Sequence, residues 1–186
     1  MSARAERVVD ALLALDPLAD LPRTGWLMRG VNPCESIADH SFGVVLCTTL
    51  LVDCLREDGR AVDGERALRM ALVHDAPEAA LGDVPHPVKT ERVDAALSEV
   101  EATLAGRLLP PGLAAVWRDL EAGESLEARI VKAADKLHML AKAVAYERRG
   151  WAGLDEFWSG PVDDRGLPVV REILDALRAR RPRPSG

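Results

Sequence analysis

Aromatic residues are scarce in this chain, with one Tyr, two Phe and four Trp making up 4% of its 186 residues. A core built here must be mostly aliphatic, and each indole is conspicuous. Three cysteines, Cys34, Cys47 and Cys54, show no C-x-x-C spacing; this excludes a cysteine zinc site and a disulfide framework, and it points to reduced thiols in a cytoplasmic protein. Basic residues are in deficit, 24 Lys and Arg against 30 Asp and Glu, for a net charge of −6. That balance excludes a general binder of nucleic-acid polymers, so an anionic ligand would need local arginine or a metal. No uninterrupted run approaches the roughly 18 apolar residues of a membrane span. The segment "VVDALLAL" follows Arg4 and Arg7 but is interrupted by Asp10 and Asp16, and reads as an amphipathic helix rather than a leader. The arginines of the tail "RARRPRPSG" read as a solvated helix end.

What is present fits one soluble globular domain over residues 1–186, with 48% hydrophobic and 29% charged residues. Periodic segments carry the helical period, and none alternates strictly. Helices are expected over 3–15, 36–57, 63–75, 77–82, 90–108, 112–122, 125–149 and 166–180, separated by breaks such as Pro17, Pro33, Gly59, Pro85 with Pro87, Pro110 with Pro111, Gly123 and Gly150. The fold class is all-α.

The stretch "LVHDAPEAALGDVPHPVKT" gathers His74, Asp75, Glu78, Asp83 and His86 where a core helix is breaking up. Ala67, Ala71, His74 and Glu78 share one helical face, and Pro77 forces a kink or restart beside the His-Asp pair. In "ESIADHSFGVVLCTTLLVDCL", Ser36 and Asp39 form a capping-box pattern that puts His40 at the end of the first turn. His40, Val44, Cys47, Leu51 and Cys54 then recur as an inward stripe, with the two cysteines as small core residues. In "EARIVKAADKLHMLAKAV", Ile130, Ala133, Ala134, Leu137 and Ala141 make the apolar face, and Asp135 sits beside it. Singly, each of these ionisable groups reads as a satisfied core or surface residue; His86 in its loop and His138, three residues after Asp135, keep that reading. Together, inward ionisable groups on three helices each need a partner against desolvation, and one shared divalent cation would satisfy them.

His40, the doublet His74-Asp75 and Asp135 reproduce the H…HD…D order of the HD superfamily of metal-dependent phosphohydrolases. The segments "RTGWLMRGV", "ESIADHS", "HDAPEAALGDVPHPVK", "VWRDLEAGES" and "SLEARIVKAADKLHML" resemble the 5'-deoxynucleotidase family, over about residues 21–158. The resemblance implies a compact HD-domain helical bundle, usually a homodimer, holding one divalent metal through His40, His74, Asp75 and Asp135. Such a mixed nitrogen and oxygen set suits Mn²⁺, Co²⁺, Fe²⁺ or Zn²⁺. It further implies Glu78 as the catalytic glutamate, Arg23 as the phosphate-binding arginine, Asp83 as acceptor for the sugar 3'-hydroxyl, and Trp26 as the residue crowding the 2' position. Arg29 and Lys89 are further candidates for gripping phosphate. In the bacterial form the arginine and tryptophan are adjacent; here Thr24 and Gly25 separate them, as in the animal branch. Trp117, Trp151 and Trp158 read as packing residues. The implied reaction is hydrolysis of deoxyribonucleoside 5'-monophosphates to deoxynucleoside and phosphate, with no base-reading motif in view. The alternatives are a phosphohydrolase acting on nucleoside di- or triphosphates or a modified nucleotide, and a metal-binding regulatory domain without turnover.

Overall fold

The computed structural model describes residues 2–85, 91–159 and 163–182. Among them there is no strand, only an isolated bridge between Pro22 and Ser36. The helices are α1 (Ala3–Leu15), α2 (Thr24–Leu27), α3 (Ile37–Glu57), α4 (Gly64–Val73), α5 (Glu78–Leu81), α6 (Glu91–Leu108), α7 (Pro111–Ala122), α8 (Leu126–Arg148) and α9 (Pro168–Arg178). Among the described residues there are also two 3₁₀ turns, Asp16–Ala19 and Asp155–Trp158. Neither these turns nor α2 was expected from periodicity, because a segment of four residues holds too little of a 3.6-residue period to register. Pro17 is the second residue of its turn, among the first N–H groups that have no partner within the turn, so its missing N–H costs nothing.

Helices α3 and α8 form the centre, flanked by α4, α7 and α9. Their shared core is aliphatic, as the lack of aromatics requires: Val44, Leu51, Leu55, Met70, Ile130, Val131, Leu137 and Leu140 are all buried. Alanines 133 and 134 and Gly43 keep the two long helices close where they meet. The buried face of α3 is rotated from the expected stripe. It runs through His40, Val44, Thr48, Leu51, Val52 and Leu55, while Cys47 and Cys54 are only half-buried and all three cysteines are free thiols. On α8 the apolar face continues through Leu140 and Val144, and Ala141 is exposed, because a real helix turns 3.6 residues and the face drifts away from a strict i+4 line. Helix α3 alone among the described helices is long and apolar enough to cross a membrane, yet it is the helix packed by α4 and α8.

Proline 77 breaks the fourth helix as expected: α4 stops at Val73, a turn carries His74 and Asp75, and α5 restarts at Glu78 with Pro77 as its cap residue. The turn is held from behind by Trp117, whose indole N–H donates to the His74 carbonyl at 3.2 Å while its ring is buried beside Val73, Ala76 and Leu109. Trp117→Phe keeps most of the packing and removes the bond, so a loss of about 1 kcal/mol is expected. A chemical-denaturation midpoint unchanged from wild type would show that the bond contributes nothing to holding the turn.

Candidate active site

Each proposed functional side chain leaves its element at a point where the backbone is fixed. His40 lies in the first turn of α3, whose start is locked by the reciprocal Ser36 and Asp39 bonds, each at 3.0 Å. Its ring is 1% exposed, so any polar contact it makes must be with the protein or a bound ligand. Nε2 lies 3.0 Å from Asp135 Oδ1 and 3.7 Å from Asp75 Oδ2. His74 is held differently: Nδ1 bonds the Ala71 carbonyl at 2.8 Å, one turn back, which in the neutral ring leaves Nε2 with the lone pair. That buried Nε2 lies 3.1 Å from Asp75 Oδ2 but has no hydrogen-bond partner. Donor atoms of His40, His74 and Asp135 all lie within 4.8 Å of one another.

An orphaned imidazole nitrogen facing a second imidazole and two carboxylates is the arrangement a divalent cation satisfies, and the residues present fit one. The charge balance agrees. Asp75, Asp83 and Asp135 face a single guanidinium, and such a surplus of negative charge would repel a phosphate unless a cation offset it. Burial disfavours charge on His74, but Asp75 and then Asp135 outweigh it and lift the imidazole to about 9. Burial likewise opposes ionisation of Asp75, but His74 and Arg23 hold it well below the usual carboxylate range. Asp135 is lowered too, by His40, against the effect of its own burial.

A cavity of about 290 Å³ opens over this cluster, lined by Arg23, Trp26, Glu35, His40, Asp75, Glu78, Asp83, Asp135, Met139 and Phe157. Arg23, the residue before α2, sends one Nη1 into it, 3.2 Å from Asp75, 3.3 Å from Asp83 and 3.5 Å from Glu78. Burial works against its charge, but these carboxylates more than offset that and fix it as a cation. Glu78 carries the opposite perturbation. Burial, then the neighbouring Asp75, pushes its carboxyl up to about 9 against the pull of Arg23, so it holds a proton at neutral pH.

Asp83 follows Gly82, whose positive φ of 78° suits glycine and ends α5. Its carboxylate accepts from the Thr24 amide, and its carbonyl accepts from the Thr24 hydroxyl at 3.0 Å, so it ties α2 to the site as well as facing Arg23. Trp26 lines the cavity and is 2% exposed, with its indole N–H donating to Glu35 at 2.8 Å and its ring against Phe157 and Tyr146. It is a fixed wall. Trp158 and Trp151 pack beside this aromatic group, as expected.

Arg29 pairs with Glu156 beside the 3₁₀ turn and is not among the residues that line the cavity. Lys89 and His86 lie outside the described residues. Glu35 and His138 have larger parts than the sequence suggested. Glu35 is 4% exposed, pairs with Lys142 at 3.2 Å, and donates its amide to the Tyr146 hydroxyl at 2.8 Å. His138 Nδ1 lies 3.0 Å from His40 Nδ1, and burial, then His40, pulls its pKa down to about 4, so its ring is neutral. The available signal for Glu35 was its place immediately before the capping serine.

A helical cluster ordered as His40, His74-Asp75 and Asp135 is the hallmark of one family, and the profile of the HD domain matches residues 15–175. This chain belongs to the HD domain family. Among HD domain relatives, the 5'-deoxynucleotidase hdd1 of Schizosaccharomyces pombe is 33% identical over 192 residues, covering 96% of this chain and 93% of that protein. The human 5'-deoxynucleotidase HDDC2 is 27% identical over 185 residues, covering 95% of this chain and 87% of its own. The crystal structure of the PH0347 protein from Pyrococcus horikoshii OT3 aligns with a TM-score of 0.81 at 38% identity, over 92% of this chain and 97% of that one.

Proposed function

We propose that this HD-domain protein is a metal-dependent 5'-deoxynucleotidase, hydrolysing deoxyribonucleoside 5'-monophosphates to deoxynucleoside and phosphate. The observation that carries the reading is the meeting of Arg23, Glu78, His40, Asp75 and Asp135 in one cavity, with a donor atom of His74 within 4.8 Å of those of His40 and Asp135. One divalent ion, Mn²⁺, Co²⁺, Fe²⁺ or Zn²⁺, held by that cluster supplies charge stabilisation and a water of lowered pKa. The protein does the rest. Arg23 pairs with the phosphoryl oxygens, and its fork meets them most strongly as charge accumulates. Glu78 donates its proton to the departing 5' oxygen. Asp83 accepts from the sugar 3'-hydroxyl beside the rigid Trp26 wall, which crowds the 2' position and disfavours ribose. Among the described residues of the cavity lining, the charged side chain without a part in this chemistry is Glu35, which Trp26 and Lys142 already engage, and there is no amide side chain, which supports broad base tolerance.

The direct test is phosphate release from ribo- and deoxyribonucleoside mono-, di- and triphosphates, each with several divalent metals and with chelator. Deoxyribonucleoside monophosphates should be turned over fastest and chelation should stop the reaction; no release from any monophosphate with any metal would end this reading. One observation favours a second reading in which di- or triphosphates are also taken. Across Asp135 lies another cavity of about 270 Å³, lined by Lys132, Lys136, Arg165 and Arg178. The same panel decides between them.

Asp83→Ala is expected to lower kcat as well as raise KM. Beyond the sugar contact, the substitution releases Arg23 and the Thr24 amide. A pure KM effect would mean that Arg23 needs no such support. The protein is expected to act as one domain in the cytoplasm and as a homodimer, for which the exposed Phe42, Leu46 and Leu50 stripe along α3 offers an apolar face. A monomer by light scattering would remove the dimer.

A further inference from the structure

We propose that His138 is a positioning residue for the metal centre, that it sets the tautomer and orientation of His40, and that Gly43 exists to admit its ring. The inference rests on the reading of His40 as a metal ligand. A ligating Nε2 must offer a lone pair, so the His40 proton has to sit on Nδ1, on a ring that is 1% exposed. That buried N–H needs an acceptor, and the partner of Nδ1 is His138 Nδ1 at 3.0 Å.

The contrast with His74 shows why a side chain is needed. His74 lies at the end of α4, where its Nδ1 reaches the carbonyl of Ala71 three residues back. His40 is in the first turn of α3, where the preceding Ser36 carbonyl is already bonded to the His40 amide at 3.0 Å. The acceptor therefore comes from α8, from the same helix that carries Asp135 one turn earlier. A single helix thus holds both faces of the His40 ring: Asp135 on Nε2 and His138 on Nδ1.

Gly43 supplies the space. A Cβ built at this position would overlap the Nε2, Cδ2 and Cε1 atoms of the His138 ring, so any larger residue must drive the ring away from His40. Glycine inside a helix is unfavourable by about 1 kcal/mol relative to alanine, and here it sits mid-turn in the central helix of the fold. That placement has a reason if the ring must lie there.

A competing arrangement is a second cation held by Glu35, His40 and His138, whose donor atoms also lie within 4.8 Å of one another. Against it, the Glu35 charge is already offset by Lys142 at 3.2 Å and its other oxygen accepts from Trp26. His40 would also have to serve two ions through its two nitrogens.

The experiment titrates metal-free protein with Co²⁺, following visible absorption and competing with a chelator, for wild type, His40→Ala, His138→Leu, His138→Phe, His138→Gln and Gly43→Ala. Melting of each metal-free protein identifies any variant that has lost its fold. Wild type should bind one ion per chain. His138→Leu, His138→Phe and Gly43→Ala should weaken binding by about 10- to 100-fold and alter the Co²⁺ spectrum, the usual scale for losing an outer partner of a ligand. His138→Gln, which can still accept through its amide oxygen, should stay within about threefold, and a structural role alone would not be rescued this way. Should His40→Ala lose the metal while the folded apolar His138 variants retain wild-type affinity and spectrum, the inference is wrong and the site stands. Two ions in wild type and one in the His138 variants would also overturn it, making His138 a ligand. Unchanged affinity in His40→Ala would instead remove the reading on which it rests.

Discussion

Asp75→Ala is expected to reduce turnover to the level that chelator leaves in the wild-type protein, and to do so with metal content reduced. The single oxygen Oδ2 of this residue lies 3.1 Å from His74 Nε2, 3.2 Å from Arg23 Nη1 and 3.7 Å from His40 Nε2, so it is the point where the proposed metal donors and the proposed phosphate-binding arginine meet. On the proposed reading, removing it withdraws a ligand, and it also leaves Arg23 with a weaker anchor. The Lewis-acid contribution alone is worth several kcal/mol, which corresponds to a loss of about 10³-fold or more. Asp75→Asn separates the terms, because it preserves shape and one acceptor oxygen but not the charge; it should retain the fold and still lose most metal affinity. Metal analysis beside activity is the check. An Asp75→Ala protein with full metal and full turnover would take Asp75 out of the centre.

The extent to which this site could be read from the chain follows from the range of the forces involved. His40 was placed inward because a capping box fixes the start of α3 within three residues, and the helical period does the rest. Pro77 forces its break whatever surrounds it, so the His-Asp turn was equally legible. Arg23, by contrast, is an ordinary arginine until Asp75, Glu78 and Asp83 come to it from 52 to 60 residues away. Only the family resemblance singled it out. Arg29 lies two residues beyond a four-residue helix, and no local rule says whether such a side chain faces the cavity or Glu156.

His138 and Glu35 mark the same boundary from the other side. The relation of His138 to Asp135 is local, one turn of α8, and was seen. Its relation to His40 spans 98 residues and depends on how closely α3 and α8 approach, which a glycine at 43 permits but does not announce. Glu35 is buried only because Lys142, Trp26 and Tyr146 converge on it from other elements. The drift of the buried face off Cys47 and off Ala141 has a plainer cause, since an i+3, i+4 pattern tolerates a rotation of one residue about the helix axis and packing alone selects among the choices.

Glu78→Gln should keep the metal and the fold while kcat falls by about 10²- to 10⁴-fold, with KM moving much less. Glu78 contacts Arg23 but none of the nitrogen donors at bonding distance, so its amide replacement leaves the ligand set intact. Because burial and then Asp75 lift its carboxyl to about 9, the metal-free wild type holds this proton at neutral pH while the unfolded chain has lost it. The sign follows: the native state binds more protons, so the Glu78 contribution to stability is full below the unfolded pKa of about 4.5 and is lost as pH rises toward 9. Melting of the metal-free proteins at acidic and mildly alkaline pH should therefore show wild type losing more stability than Glu78→Gln. A bound divalent cation will draw the carboxyl back toward ionisation, which makes the leaving group the sharper probe of role. If Glu78 protonates the departing 5' oxygen, an aryl phosphate whose phenolate leaves without a proton should be hydrolysed by Glu78→Gln at a rate close to that of wild type, while the deoxynucleotide reaction collapses. An equal loss on both substrates would assign Glu78 to orienting the attacking water instead, and loss of metal would make it a ligand.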